Sequence, residues 1–185
     1  MKWFWLAPLF ALGLLGCRPP ANGPLFLGRG VPFTLRAPAD GPKLFSTQSV
    51  RFMMPDGSEE LLVTSVENTP ERMSIVASTP MGQTLFTIQL QQGAVTVDKR
   101  IPLPQMFDPR LLPALIQLAN WPLEDLRKGL DPGTTLEETG ELRELRRKGR
   151  TVLTLRREGQ APNFKTVTLD LPAASIRAII TTLED

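Results

Sequence analysis

The sequence contains no histidine and no tyrosine, and its only cysteine is Cys17. Without histidine, a Ser-His-Asp type of catalytic triad and a histidine-bearing zinc site are both excluded within this chain. A single cysteine also excludes an internal disulfide bond. The chain has no Gly-x-Ser-x-Gly elbow, no phosphate-binding loop and no Gly-x-Gly-x-x-Gly motif. These absences favour a protein that is not an enzyme and that needs no cofactor or metal.

The chain also has no large excess of positive or of negative charge. The chain has 21 Lys and Arg against 19 Asp and Glu, a net charge of +2, which does not predict a nucleic-acid partner. Three carboxylates beside a predicted turn, Asp56, Glu59 and Glu60, would be the acid and base of a hydrolase or transferase. Solvated carboxylates at a turn are ordinary, however, and no neighbouring group orients these three.

Residues 1–16 are typical of an export signal, with Lys2 followed by an apolar run that ends at Leu15. The segment Leu14-Leu15-Gly16-Cys17 resembles the bacterial lipobox, in which the cysteine receives a diacylglycerol. A transmembrane anchor and a cleaved secretory peptide with an incidental cysteine are the alternatives. The position of the only cysteine, where the apolar run ends, favours a lipoprotein with Cys17 as its lipidated first residue.

The residues after Cys17 predict the destination of the lipoprotein. Several acyl chains at about 0.8 kcal/mol per buried methylene would make attachment permanent. In diderm bacteria an aspartate after the cysteine resembles an inner-membrane retention signal, so Arg18 predicts the outer membrane, with the domain facing the periplasm. Residues 17–42 contain six prolines and are predicted to be a stiff tether, which leaves residues 43–185 as the folded domain.

Eighteen prolines and fourteen glycines separate short apolar runs, a pattern that favours a chain dominated by β-strands. Apolar and polar residues alternate from Phe45 to Asp98 and predict about five antiparallel strands. Asp56-Gly57 is predicted to be the turn that leads into the strand starting at Glu59. The most distinct hairpin surrounds Thr79-Pro80-Met81-Gly82, where proline and glycine favour a tight turn. Met81 at its tip is either an ordinary exposed methionine or a contact with another apolar phase.

The middle of the chain has helical spacing instead. Residues 108–120 predict an amphipathic helix with Asp108 as a candidate N-cap. Because proline is tolerated only in the first turn, Pro113 predicts that the helix proper starts near Leu112 or that its earlier turn is kinked. Residues 122–129 predict a second, shorter helix. Strands are predicted again over 141–148, 151–158, 163–171 and 175–183, although apolar spacing in the last segment also fits a short helix.

Together these elements predict a mainly β fold with a helical lid (α+β). The expected architecture is an open antiparallel half-barrel of about nine to eleven strands, with two or three short helices covering its concave apolar face. If the helices leave space there, the result is an apolar cavity suited to acyl chains; otherwise the same residues form a filled core. The predicted lining residues are Val50, Phe52, Met73, Ile75, Phe86, Ile88, Leu115 and Leu118.

A basic stretch near the C-terminus supports an alternative function. It contains Arg143, Arg146, Arg147, Lys148, Arg150, Arg156 and Arg157, interleaved with glutamates. The pattern is typical of the polar face of a hairpin with cross-strand charge pairs. It would also suit a non-catalytic adaptor lipoprotein that binds another envelope protein, or contact with anionic headgroups.

Two motifs carry a resemblance to a known family. The segments Ser78-Thr-Pro-Met-Gly-Gln-Thr-Leu85 and Leu118-Ala-Asn-Trp-Pro-Leu-Glu-Asp-Leu-Arg-Lys-Gly-Leu130, followed by a strand-rich end, resemble the LolB family of outer-membrane lipoprotein receptors. The chain is also similar to a group of LolB-like lipoproteins associated with lipid and pigment biosynthesis clusters. It departs from the LolB pattern in its proline-rich tether and in methionine where leucine is usual.

The resemblance implies a half-barrel that accepts acyl chains of a lipid or lipoprotein from a periplasmic LolA-like carrier and releases them into the outer membrane. The turn Pro80-Met81-Gly82 would then contact the bilayer. The implied partners are therefore acyl chains or lipoprotein cargo, the outer membrane and that carrier.

Overall fold

The computed structural model describes residues 25–28, 30–101, 108, 110–172 and 175–183. The predicted signal peptide, Cys17 and Arg18 lie outside these residues. Short elements come first: β1 (Leu25–Phe26), β2 (Pro32–Phe33) and a 3-10 turn (Pro38–Asp40). Five long strands follow: β3 (Leu44–Met53), β4 (Glu59–Asn68), β5 (Met73–Ser78), β6 (Thr84–Gln91) and β7 (Ala94–Lys99).

Two helices, α1 (Leu111–Asn120) and α2 (Leu123–Arg127), separate these strands from a second group. The second group consists of β8 (Thr134–Thr139), β9 (Leu142–Arg147), β10 (Arg150–Gly159), β11 (Phe164–Leu171) and β12 (Ile176–Leu183). Ten strands form one open antiparallel sheet in the order β7-β6-β5-β4-β3-β12-β11-β10-β9-β8. The predicted mainly β, open-sheet fold with a few short helices is thereby confirmed.

The topology explains why the helices cover one face. The two meanders join where β3 pairs with β12, so β7 and β8 lie at opposite edges of the sheet. The chain between these two edge strands therefore crosses the sheet, and α1 packs into the same hydrophobic core as residues from both halves. The face that packs against α1 is the concave face of the half-barrel.

The strand alternation fixes which side chains face the core. Met73, Ile75 and Ala77 of β5 are buried, as are Phe86, Ile88 and Leu90 of β6. β12 is a strand, which resolves the helix alternative for residues 175–183. β-branched residues at 176, 179, 180, 181 and 182 favour this outcome.

The N-terminal strap, defined here as residues 25–28 and 30–41, corrects the predicted tether. Leu25, Leu27, Val31 and Phe33 are buried in the hydrophobic core, and Phe33 forms a bridge with Leu130. Exposed proline-rich tethers do not bury four large apolar side chains. The folded domain thus begins before residue 43, and residues 17–24 and 29 of the predicted tether lie outside the described residues.

Helix α1 also differs from its prediction. Its residues Leu112 to Ala119 are all buried, so it is a helix enclosed on every side rather than an amphipathic one. It begins at Leu111, in agreement with the start near Leu112 that Pro113 predicts. Asp108 is not its N-cap, because Arg110 occupies that position and the Asp108 carboxylate accepts a hydrogen bond from the Arg110 N–H at 3.0 Å. None of the helices in the described part of the chain has the length and apolar character needed to cross a membrane.

Candidate functional site on the concave face and its two rims

The predicted cavity-lining residues all lie in strands of the sheet or in α1. Six of them belong to one hydrophobic core: Met73, Ile75, Phe86, Ile88, Leu115 and Leu118. Val50 is buried, and Phe52 is partly buried against that core. Helix α1 packs onto the face that the strand residues form, since its Leu115 and Leu118 belong to the same buried core as the four strand residues.

The N-terminal strap holds α1 in place from its outer side. The buried Gln117 side chain accepts a hydrogen bond from the Arg36 N–H at 2.9 Å and donates one to the Arg36 carbonyl at 2.8 Å. A buried amide side chain thus satisfies both backbone groups of one strap residue. Opening the concave face therefore requires the strap to move together with α1.

The strands β3, β5, β7, β9 and β11 end at one rim of the half-barrel, which we call the Met81 rim. Apolar residues that face the core become partly exposed toward this rim, notably Phe52, Leu62 and Ile176. Met54, which follows β3 at this rim, is exposed. The apolar character of the concave face therefore continues to the edge of the molecule at this rim.

The Met81 turn is built as its sequence predicts. Gly82 has a φ of +85°, and its N–H donates to the Thr79 carbonyl at 2.9 Å. The Thr79 hydroxyl accepts from the Gln83 N–H at 3.2 Å, so the backbone of the turn is fixed without any contribution from the methionine side chain. Met81 is 98% exposed, the largest exposure among the exposed large hydrophobic residues described.

At the opposite rim, two residues of the basic stretch point into the protein. Arg143 and Arg157 are each only 5% exposed, which corrects the prediction that the whole stretch forms a polar face. The Arg143 side chain donates to the Leu118 carbonyl at 2.8 Å, and that of Arg157 donates to the Ala119 carbonyl at 3.2 Å. Both arginines thus bind the last turn of α1, where the helix dipole places negative charge.

Glu138 connects the two arginines. Its carboxylate lies 2.6 Å from Arg143 Nε and 2.8 Å from Arg157 Nη2. Burial alone would raise the pKa of Glu138, but hydrogen bonds from both arginines outweigh burial and hold that pKa below its usual value. Burial, followed by the nearby charge of Arg157, lowers the pKa of Arg143 despite its bond to Glu138. The cluster therefore holds two crowded cations and one anion.

A pocket of about 420 Å³ opens beside this cluster. Trp121, Arg157 and Phe164 are among its lining residues, and the Arg157 guanidinium lies 4.9 Å from the centre of the Phe164 ring. Arg157 Nε and Trp121 Nε1 are buried and have no hydrogen-bond acceptor among the described residues. The alternation of β9 and β10 could have revealed these arginines, because Arg143 and Arg157 occupy the same strand faces as the core residues Leu145 and Leu155.

The carboxylates considered for hydrolysis remain at the surface. Asp56, Glu59 and Glu60 are exposed, and hydrogen bonds from the Ser58 hydroxyl and N–H lower the pKa of Asp56. This is the usual chemistry of an Asx turn. Among the described residues, no group of three or more Cys, Asp or Glu side chains could hold a metal ion.

These features define a class of protein: a mainly β half-barrel whose concave face is plugged by a buried helix, with an apolar turn on one rim and a buried arginine pair near the other. The chain belongs to the family described as "Protein of unknown function (DUF3261)", which matches residues 46–184. A crystal structure of a LolA superfamily protein from Nitrosomonas europaea is similar over 81% of this chain and 87% of that chain, with 11% sequence identity and a TM-score of 0.42. A search of curated proteins finds no match.

Proposed function

We propose that this protein is a non-enzymatic, LolB-like lipoprotein that binds acyl chains of a lipid or lipoprotein on its concave face and transfers them to the outer membrane. In this proposal Cys17 anchors the chain to that membrane, and a periplasmic LolA-like carrier supplies the cargo. The observation that carries the proposal is the continuity between the apolar concave face and the Met81 rim.

Met81 is the proposed contact with the bilayer. Moving a methionine side chain from water into an apolar phase stabilises the contact by about 1.5–3 kcal/mol. Because hydrogen bonds of Thr79 and the conformation of Gly82 already fix the turn, exposing Met81 serves no evident purpose in folding. A rigid turn with an apolar tip suits shallow insertion among acyl chains.

Acyl binding requires a local opening, because α1 fills most of the concave face. A chain that replaces α1 contacts regains about 0.8 kcal/mol for each methylene removed from water. Such a gain offsets the lost packing of α1 only when several methylenes are buried. The proposed ligand is therefore a long acyl chain rather than a small apolar molecule.

The variant Met81→Asp tests this role. Protein loaded with a fluorescent long-chain lipid is mixed with phosphatidylethanolamine vesicles, and the rate of lipid transfer is measured. We expect the rate to fall by about tenfold, because each 1.4 kcal/mol of lost contact corresponds to a factor of ten. Acyl binding itself should remain unchanged.

Two control variants separate the apolar tip from a general effect of charge. Met81→Leu should keep the wild-type rate, since it preserves the apolar side chain. Gln92→Asp adds the same charge at the β6–β7 turn, on the opposite rim, at another exposed position, and should also have no effect. Unchanged transfer by Met81→Asp would refute the role of the turn, and purified protein that carries and binds no acyl species would favour the adaptor alternative.

A further inference from the structure

The arginine cluster carries more positive charge than hydrogen bonding to the end of α1 requires. Two guanidinium groups share one carboxylate, Glu138, and the partial negative charge at the end of α1 supplies the rest of the compensation. Arg157 Nε remains unpaired although Arg157 lines an open pocket. Buried donors are nearly always paired, so an acceptor bound beside this nitrogen would complete its hydrogen bonding.

The pocket has the composition of an amphiphile site. Trp121, Pro122, Ala161 and Phe164 provide apolar walls, while the arginines provide charge on one side. Its volume of about 420 Å³ falls within the usual range for small-molecule sites. Trp121 Nε1 is a second buried donor without an acceptor among the described residues.

An apolar strip leads from Arg157 across the concave face to the Met81 rim. Direct strand pairing joins Arg157 to Val167, Val167 to Ile180, Ile180 to Val50 and Val50 to Leu62. Four strand spacings of about 4.8 Å make this strip roughly 19 Å long. Arg157, Val167 and Val50 are buried, whereas Ile180 and Leu62 are only partly buried, so the strip becomes more accessible toward the Met81 rim.

We propose that the pocket at Arg157 binds the anionic headgroup of an acyl ligand, a carboxylate or phosphate, whose alkyl chain follows the strip toward the Met81 rim. The proposal rests on the acyl-binding function above and specifies its ligand class as an anionic amphiphile. The ligand lies with its tail toward the proposed bilayer contact and its headgroup away from it.

Two carboxylates also line the pocket, and both bear on the charge balance. Glu138 is committed to the two arginines. Glu141 is exposed at the edge of the pocket, and its backbone carbonyl accepts from the Arg157 N–H at 2.9 Å. Its charge opposes an incoming anion, which provides a variant that should strengthen binding.

The lipidated protein reconstituted in phosphatidylcholine nanodiscs tests the headgroup site. Two of the three tryptophans, Trp3 and Trp5, lie in the predicted signal peptide, so after its removal Trp121 is the only indole and its fluorescence reports on the pocket. We expect octanoate to bind about tenfold more tightly than octanol, the ratio that one charge-assisted hydrogen bond supplies.

In Arg157→Gln the ratio of octanoate affinity to octanol affinity should fall to about one. The variant removes the charged hydrogen bond that produces the wild-type ratio. Arg156→Gln, which removes the same charge from an exposed neighbour on the opposite face of β10, should leave it unchanged. Glu141→Gln should raise octanoate affinity by roughly two- to threefold through loss of like-charge repulsion. This variant decides the matter if Arg157→Gln fails to fold.

Ligands with alkyl chains of different length test whether the ligand follows the apolar strip. Decanoate should bind more tightly than hexanoate in the wild type, and Ile180→Asn should remove most of this gain. Ile179→Asn, on the opposite face of β12, should preserve it. Equal gains in both variants would contradict the path of the chain.

The remaining outcomes separate the two proposals. Equal binding of octanoate and octanol would overturn the headgroup site and leave acyl binding intact, whereas binding of neither would overturn both. Inorganic phosphate alone should not change the Trp121 emission. If phosphate saturates the pocket at the concentrations that suffice for octanoate, the pocket binds a free anion, and the proposal of an amphiphile ligand is refuted.

Discussion

At the scale of single residues, Glu138 is the group on which the arginine cluster depends. Its carboxylate neutralises part of the charge of Arg143 and Arg157, both almost completely buried. Removing one partner of a buried ion pair leaves an uncompensated charge, which costs more than the pair itself contributes. The cluster therefore predicts a pH dependence of the free energy of unfolding.

Because hydrogen bonds of Arg143 and Arg157 hold the pKa of Glu138 below its usual value, the ionised form stabilises the folded state. This contribution is complete above about pH 4.3, the ordinary glutamate pKa, and is lost as the pH falls through the lower pKa of the folded protein. Glu138→Gln should lose about 2 kcal/mol at pH 7, less than a fully buried pair would lose, because the side chain of Glu138 is 32% exposed.

Urea unfolding of wild type and Glu138→Gln between pH 3 and pH 7 measures this effect. The difference in unfolding free energy between the two proteins should shrink as the pH falls below about 4.3. Glu137→Gln, at an exposed neighbouring position, serves as the matched control and should show no such trend. A difference that stays constant with pH would show that the charge of Glu138 contributes nothing.

At the scale of elements, the strand pattern was predictable because alternation depends on one buried face. β3 to β7 and β9 to β12 all correspond to predicted segments. β8 was not predicted, because in Thr134 to Thr139 only Leu136 is a buried apolar residue, and a polar edge strand has no alternation to detect.

Long-range packing explains the other differences. Leu25, Leu27, Val31 and Phe33 occur among prolines and glycines, so their local sequence is typical of a linker although they pack on the core. The side of α1 that seemed free is covered by this same strap, and no local periodicity reports a partner about 80 residues away in the sequence. For the candidate site, the Met81 turn was evident from its sequence, whereas the convergence of Arg143 and Arg157 on Glu138 depends on the three-dimensional arrangement of β8, β9 and β10.

The strap and α1 should open as one unit. Gln117 pairs with both backbone groups of Arg36, so Gln117→Leu leaves a buried N–H and C=O unpaired at a cost of about 1–3 kcal/mol. Hydrogen exchange followed by mass spectrometry should show similar protection for strap and α1 peptides in the wild type, as expected for one cooperative unit.

In Gln117→Leu, the peptides of the strap should exchange faster than those of α1. Gln89→Leu makes the same change at an exposed position on β6 and should leave both segments at wild-type protection. If wild-type strap peptides exchange at the rate of an unfolded chain while α1 stays protected, the strap does not hold the helix.

At the scale of the whole molecule, the two rims have different chemistry. The Met81 rim carries apolar tips, and the cluster at the opposite rim carries buried arginines, so a bound amphiphile would have a defined direction. The proposed lipid on Cys17 would attach the protein to one membrane. The direction of the bound ligand matters only relative to that membrane. A tail directed at the Met81 rim is productive only when the anchor places this rim against the receiving bilayer.

The anchor itself supplies the last prediction. If Cys17 is lipidated, radiolabelled palmitate should enter the wild-type protein and be absent from Cys17→Ser, because the only thiol has been removed. Separation of the two membranes of a diderm host on a density gradient should place the wild type in the outer membrane. Arg18→Asp should shift the protein to the inner membrane, while Arg18→Gln, which removes the charge without adding a carboxylate, should keep it in the outer one. Recovery of the wild type in the inner membrane would contradict the sorting role of Arg18 and, with it, the proposed direction of transfer.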